Sequence, residues 1–350
     1  MSDTICVTAL VDNSVLGLDL LAEHGLAFCI RTGRHRLLFD TGQSDLVLKN
    51  ARALEVGLED LEAIVLSHGH HDHTGGLRPV GGCAPKARLY LHPAALKPKF
   101  AVDADDSDCE SWPVGMAEAD VQFIHQSADS VVWTTKPTEI VDGIFVTGEI
   151  PRRTNFEDTG GRFFVDEGCN QPDPLMDDQA LFFDTREGLV VIAGCAHAGV
   201  VNTVDYIRQI SGGRPICAIM GGLHLLNASE TRMKLTLAAF RRWDVRRIAA
   251  GHCTGLAAVT QMWASFPGRC SDWATGSSMI FHKKQLSPFD DHRSEQQSRF
   301  GPGQNLSPLS GVPGCAEEAS RRGILAGTPG GKRRVSILSR IRAGFRAQAP

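Results

Sequence analysis

No stretch of the chain approaches the roughly 18 uninterrupted apolar residues of a membrane helix, so no transmembrane segment is expected. The opening Met1-Ser2-Asp3-Thr4 has no basic stretch ahead of an apolar one. That argues against a secretory signal and for a cytoplasmic chain. The ten cysteines include no Cys-x-x-Cys pair, which argues against a zinc ribbon and a thioredoxin-type dithiol; without a secretory signal they are read as thiols. There is no Walker A sequence, no Gly-x-Gly-x-x-Gly after a strand and no Gly-x-Ser-x-Gly. A nucleotide kinase, a dehydrogenase and a serine hydrolase are therefore disfavoured. No internal repeat of solenoid period is present.

What is there is globular. Hydrophobic residues make up 42% and charged residues 22%, which excludes a fully disordered, collagen-like or coiled-coil chain. At about 150 residues per domain, 350 residues make one large domain or two ordinary ones. The net charge of −4 is unevenly spread: residues 286–350 carry ten Lys/Arg and five Asp/Glu, which leaves −9 for the body. An acidic body argues against a nucleic-acid binder and suits a site that gathers divalent cations. After about Gln285 the composition turns to Ser, Pro, Gly, Arg and Gln. Residues 286–350 are therefore read as a low-complexity, mostly disordered basic tail behind a domain of residues 1–285. Within the tail, Val335, Leu338, Ile341 and Phe345 fall at helical spacing between arginines. A short amphipathic helix near 332–347 could touch an anionic surface or a partner, although a helix so short is marginal alone.

The body alternates strands and helices. Strands are expected at Ile5–Val11, Leu26–Arg31, His35–Phe39, Ala63–Leu66, Ala87–Leu91, Ala180–Phe183, Leu189–Ala193, Pro215–Met220 and Val245–Ala249, with two more between Val131 and Thr147. Helices are expected at Asp45–Val56, Val200–Ile210, Ser229–Trp243 and Gly255–Phe266. Residues 97–121, with Asp103, Asp105, Asp106 and Asp108, read as a long acidic loop, and residues 160–178 as irregular. The later strand-to-helix loops carry histidines, and that edge of a layered α/β sheet is where sites form.

The densest signal is His68-Gly69-His70-His71-Asp72-His73, directly after the apolar Ile64-Val65-Leu66. Imidazoles crowded on a loop are costly unless a cation holds them together. Neutral imidazole and carboxylate are ligands for zinc, iron and manganese. Alternate positions at a strand end face one side, so His68 and His70 can share one metal, and the following turn directs Asp72 and His73 to a second. Asp40, in Phe39-Asp40-Thr41-Gly42, reads as a turn residue before Gly42. His197, His224 and His252 each lie in a Gly-flanked loop, and Cys195 stands beside the first. Arg152 and Arg153 follow Pro151 and could fork onto a phosphate. Thr254 and Gly255 open a helix whose amides could meet an anion. His24, His35, His92, His125, His282 and His292 stand alone and are read as surface or satisfied residues.

With these motifs together, the chain resembles the metallo-β-lactamase-fold superfamily over roughly residues 5 to 282. Thr147-Gly148-Glu149-Ile150-Pro151-Arg152, Gly194-Cys195-Ala196-His197-Ala198-Gly199, Gly221-Gly222-Leu223-His224 and Gly251-His252-Cys253-Thr254-Gly255 are similar to a branch named for a pterin-condensing synthase. The resemblance implies a four-layer αββα sandwich and two divalent metal ions, zinc first, with manganese or iron as alternatives. It implies His68, His70, Asp72, His73, His197 and His252 as ligands, and Asp40 as the residue that orders the metal loop from behind. Superfamily members usually have a bridging Asp where Gly194-Cys195 stands here. Cys195 could ligate as a thiolate or pack as a small buried hydrophobe, and His197 could replace the acid. Asp72 and His224 are the candidates for moving protons, and Arg152 and Thr254 for binding substrate.

The first functional reading is a hydrolase acting on a small anionic substrate, a phosphorylated compound or an ester, through an activated water. The alternative is a transferase that condenses dihydropterin-6-ylmethyl diphosphate with an aryl amine. A third is a metal-binding, partner-docking module without activity. Nucleic acid is not expected as a partner. Deleting residues 286–350 should leave metal content unchanged and move the melting midpoint by less than about 5 °C; a larger drop, on the order of 1 kcal/mol, would show that the tail packs.

Overall fold

Period-two alternation sets the first sheet. In β1 (Thr4–Val11), Ile5, Val7 and Ala9 are buried while Thr4, Cys6 and Thr8 are half-exposed. This strand pairs with β2 (Ala27–Thr32), which turns through Gly33-Arg34 into β3 (His35–Phe39), all antiparallel. The structure, a computed structural model, describes residues 3–102 and 110–284. The basic tail at 286–350, its helix at 332–347, His292 and the acidic stretch at 103–109 lie outside the described residues.

From β3 the chain runs through α1 (Leu46–Ala53) to the parallel β4 (Ala63–Val65), then through α2 (His71–Thr74) and α3 (Leu77–Cys83) to the parallel β5 (Arg88–Leu91). Next come β6 (Phe100–Val102), β7 (Ser111–Pro113), α4 (Glu118–Gln126), β8 (Val131–Trp133), β9 (Thr138–Val141), β10 (Ile144–Val146) and β11 (Arg162–Phe164). The second half holds the hairpin of β12 (Ala180–Thr185) and β13 (Gly188–Ala193), then α5 (Val200–Ile210), β14 (Ile216–Gly222), α6 (Glu230–Arg242), β15 (Arg247–Gly251), α7 (Leu256–Ser265) and β16 (Ser278–His282). One sheet runs β16-β1-β2-β3-β4-β5-β8, the other β15-β14-β13-β12-β10-β9, and a small third sheet β11-β6-β7.

Three apolar clusters make this a four-layer sandwich. Between the large sheets, Val7, Phe28, Leu37, Phe39 and Val65 meet Val146, Leu181, Phe183, Val190, Ile192 and Met220. The other face of the first sheet, through Leu38, Ile64 and Leu89, packs on Val47 and Ala51 of α1, Leu77 and Val80 of α3 and Ile124 of α4. The other face of the second, through Val191, Ile219 and Ile248, packs on α5, α6 and α7 through Val204, Leu237 and Met262. This is the αββα arrangement. The parallel strands β3, β4, β13, β14 and β15 all end on the same edge, where Asp40, Ser67, Gly194, Leu223 and His252 follow them.

The structure departs from the sequence reading in the inserts. Residues 97–121 are not one loop: they hold β6 and β7 and the start of α4. Residues 160–178 contain β11, and the 131–147 region makes three strands, not two. β16 was not expected at all. Each missed strand is three residues long, apart from the edge strand β16, so periodicity has nothing to register on. The acidic first turn of α4, Glu118 and Asp120, reads as loop in sequence but complements the positive end of the helix.

Burial predicts the mutational response. Phe183 is fully buried between the sheets, with its ring 5.7 Å edge-on from Phe281. Phe183→Ala should cost about 3–5 kcal/mol in chemical denaturation. Leu18→Ala, at a fully exposed position, should stay within about 0.5 kcal/mol.

Candidate metal centre

The strand ends carry the site at some backbone cost. Asp40 (φ 59°), Ala196 (φ 55°), His224 (φ 44°) and His252 (φ 49°) all take left-handed conformations that L-residues rarely adopt. Gly194 can only be glycine, because a Cβ there would run into the Ser67 side chain and the Asp40 carboxylate.

Each candidate ligand histidine but one is held by its Nδ1. The His73 Nδ1 donates to Asp40 Oδ2 at 2.7 Å, the His197 Nδ1 to the Thr159 carbonyl at 2.7 Å and the His252 Nδ1 to Asn13 Oδ1 at 2.9 Å. The His68 Nδ1 lies 2.9 Å from Ser67 Oγ. With a proton on Nδ1, a neutral ring presents a lone pair at Nε2. Two sets of donors result. The ligand atoms of His68, His70 and His197 all lie within 4.8 Å of one another, and the same holds for His24, Asp72 and His252. His73 Nε2 stands 3.2 Å from His252 Nε2 and 3.7 Å from Asp72 Oδ2, so it belongs beside the second set. Cys195 lies between the two: its Sγ is 3.1 Å from His73 Nε2, and it groups with His68 and His73, with His197 and His224, and with His252 and Cys253.

This arrangement fits divalent cations. The His197 Nε2 is buried with no hydrogen-bond partner among the described residues, and His68 Nε2 faces His70 Nδ1 at 3.0 Å. At the second position, the lone pairs of His73 and His252 and the oxygen of Asp72 face one another, which is unfavourable unless a positive charge lies among them. The electrostatics agree. Burial holds His68, His70 and His197 well below the usual imidazole range, so they are neutral, as ligands must be. Burial alone would raise Asp72, but His73, His24 and His252 around it overcome that and hold it well below the usual carboxylate range. Burial also works against a charged His73, yet the Asp72 and Asp40 carboxylates lift it to about 9. A place that draws in a proton so strongly is one a cation can take. Burial pushes the Cys195 thiol well up, and the neighbouring Cys253 adds to this, so a thiolate there needs a cation against it.

The other residues singled out in the sequence have varied placements. Asp40 accepts from Ser67 N at 2.6 Å and Ser67 Oγ at 2.7 Å, tying the metal loop to the end of β3. The His224 ring centroid is 4.4 Å from that of His197, and its Nδ1 is buried without a partner among the described residues. Arg152 is not brought to the donors: its guanidinium donates to the carbonyls of His197 (2.5 Å), Pro174 (2.5 Å) and Leu175 (3.1 Å), and so acts as a loop clamp. Thr254 Oγ1 is buried and accepts from Leu223 N at 3.1 Å. His24, read in sequence as isolated, stands with Nε2 3.2 Å from Asp72 Oδ2. Phe163 of β11 was also missed; its ring centroid lies 4.9 Å from that of His70 and 5.2 Å from that of His197. No spacing signal reaches either residue, because each arrives from an insert or loop remote in sequence.

The profile of the Metallo-beta-lactamase superfamily matches residues 22–206, and the chain belongs to that superfamily. Among individual relatives, it is 31% identical over 255 residues to the 7,8-dihydropterin-6-methyl-4-(beta-D-ribofuranosyl)-aminobenzene-5'-phosphate synthase of Methanocaldococcus jannaschii, covering 70% of this chain and 85% of the synthase. An uncharacterised protein of the same organism is 30% identical over 257 residues, 73% of this chain and 93% of that protein. In structure, the chain is similar to Tm1679, described as a metal-dependent hydrolase of the beta-lactamase superfamily, with a TM-score of 0.66 and 30% identity over 79% of this chain and 98% of that one.

Cys195 bears on which metal the site prefers. If its sulfur joins the donors, it favours zinc or iron over manganese, because soft sulfur selects softer metals. Cys195→Ser should then shift competition among zinc, iron and manganese toward manganese by about tenfold, with the melting midpoint little changed. Metal competition followed by elemental analysis checks this, and an unchanged preference would return Cys195 to a packing role.

Proposed function

We propose that the chain is a metal-dependent enzyme acting on a small phosphorylated substrate that carries a flat ring, and that it transfers a dihydropterin-6-ylmethyl group from its diphosphate to an aryl amine. The observation that carries this reading is Phe163, whose ring stands against the metal-facing His70 and His197 and offers an aromatic face beside the donor set. The likeness to the synthase supports it. Zinc suits the mixed nitrogen, oxygen and sulfur donors. Cations held by His68, His70 and His197 and by Asp72, His73 and His252 would supply positive charge to the diphosphate oxygens.

The chain's own residues account for the rest. The amine lone pair attacks the methylene carbon, the C–O bond to the diphosphate breaks, and the diphosphate leaves with the bonding pair. The proton released from the amine nitrogen needs an acceptor. His224, whose Nδ1 has no hydrogen-bond partner among the described residues and whose ring lies beside that of His197, is the proposed acceptor. Phe163 aligns the ring and narrows the entry of water. A metal-dependent hydrolase is the second reading, supported by the description of the structural relative; there water takes the place of the amine, and the same donors and His224 serve.

The test is a panel on metal-loaded protein. Dihydropterin-6-ylmethyl diphosphate with an aryl amine should give coupled product and free diphosphate, with release dependent on the amine. Phosphodiesters and lactones should turn over far more slowly. Phe163→Ala should lower kcat/KM for the ring-bearing substrate about 3- to 10-fold, the worth of one ring contact, with metal content unchanged. Faster phosphodiester or lactone turnover would give the hydrolase reading precedence. Full metal content without any turnover would point to a docking module.

A further inference from the structure

Asn13, in the loop after β1, touches two histidines with the two ends of one amide. Its Oδ1 accepts from Gly25 N at 3.2 Å. A backbone N–H can only donate, so this contact fixes which end of the amide is oxygen. The same oxygen is 2.9 Å from His252 Nδ1, which must therefore carry a proton and leave a lone pair on Nε2. The amide nitrogen is 3.3 Å from His24 Nδ1. An amide nitrogen donates, so the His24 Nδ1 accepts, and the proton of that neutral ring is on Nε2. This Nε2–H points at Asp72 Oδ2, 3.2 Å away. His24, Asp72 and His252 thus look like three equivalent donors by distance, yet two of their ring nitrogens carry opposite hydrogen-bonding signs.

We propose that Asn13 sorts the two histidines by tautomer: His252 becomes a metal ligand, while His24 is a positioning residue that clamps the Asp72 carboxylate with an N–H and does not itself ligate. This rests on the reading of Asp72 and His252 as holders of a cation. The arrangement suits their places. His252 is buried, whereas His24 has about half of its side chain exposed, at the open edge of the site. A ligand with a lone pair at that edge would be open to exchange with water. An N–H there instead fixes the orientation of the acid that the cation needs, the role that Asp40 performs for His73 from the buried side.

The experiment uses the full chain loaded with zinc and reads ring nitrogens directly. In long-range 15N–1H spectra, His24, assigned by the loss of its signals in His24→Gln, should show a protonated Nε2 and a bare Nδ1. The histidine ligands held by Nδ1 should show the reverse pattern. In chelator competition, His24→Ala should weaken the second zinc equivalent about 10-fold or more, in the range seen when an outer hydrogen-bond partner is removed. His24→Gln, whose amide can still donate to Asp72, should stay within about 3-fold of wild type. A His24 Nε2 with a metal-bound shift, or loss of the second zinc in both variants, would make His24 a ligand and overturn the proposal. Wild-type-like affinity in His24→Ala would also overturn it, by showing that the clamp does nothing. Wild-type protein that fails to take up a second zinc would instead defeat the metal reading beneath it.

Discussion

The site hangs on the buried carboxylate of Asp40. It leaves the end of β3 in a left-handed conformation and accepts from Ser67 N, Ser67 Oγ and His73 Nδ1 at 2.6–2.7 Å. A carboxylate taken fully out of water is costly unless its oxygens are hydrogen-bonded, and here three donors meet it. Those bonds lock the first turn of the metal loop to the neighbouring strand and turn the ring of His73 so that Nε2 faces the other donors. The glycine at 194 is part of the same constraint, since nothing larger leaves room for Asp40 and Ser67.

Around that centre, other buried or half-buried acids hold the neighbouring loops. Asp177 accepts from Gly69 N at 2.8 Å and pairs with Lys99 at 2.9 Å; Lys99 in turn pairs with Asp173 at 2.9 Å. Asp178 accepts from Ala198 N at 2.8 Å beside His197, and burial lifts its pKa to about 6. Glu157 caps the start of α5 by accepting from Val201 N and Asn202 N. Asp40, Asp177, Asp178 and Glu157 therefore serve backbone amides of the loops around the candidate ligands. Arg152 belongs to this scheme as well. As a sequence feature it suggests a phosphate, but three carbonyls claim its guanidinium.

Legibility in the sequence followed physical locality. The His68-to-His73 run could be read because adjacent ligands on one turn leave a spacing, and β1 to β4 could be read because alternation and apolar runs do. α6 even shows its cap, with Ser229 Oγ accepting from Arg232 N at 3.1 Å. His24 and Phe163 could not be read. A single histidine before Gly25, or one of two phenylalanines in a glycine-rich stretch, has no period and no near neighbour of matching chemistry. Their meaning arises only when the segment between β1 and β2 and the small sheet bring them to the edge where β4 and β13 end. The same holds for Lys99, whose two aspartate partners lie far along the chain.

The candidate metal ligands and the aromatic face proposed for the substrate come from different parts of the architecture. The ligands sit at the ends of the two large sheets, whose cores fix them. Phe163 comes from the small sheet of β6, β7 and β11, which the large sheets do not include. That insert is tied to the metal loop by main chain: His71 N donates to the Val114 carbonyl at 2.8 Å, and His70 bridges to Gly115. A change in the insert therefore alters what rests against His70 and His197, while Asp40 and the bonds it makes lie outside the insert. For the proposed reaction, the choice between an amine and water falls to this insert, since the donor set serves either nucleophile equally. Likeness in ligand motifs alone then carries little information about the reaction, and the aromatic face carries more.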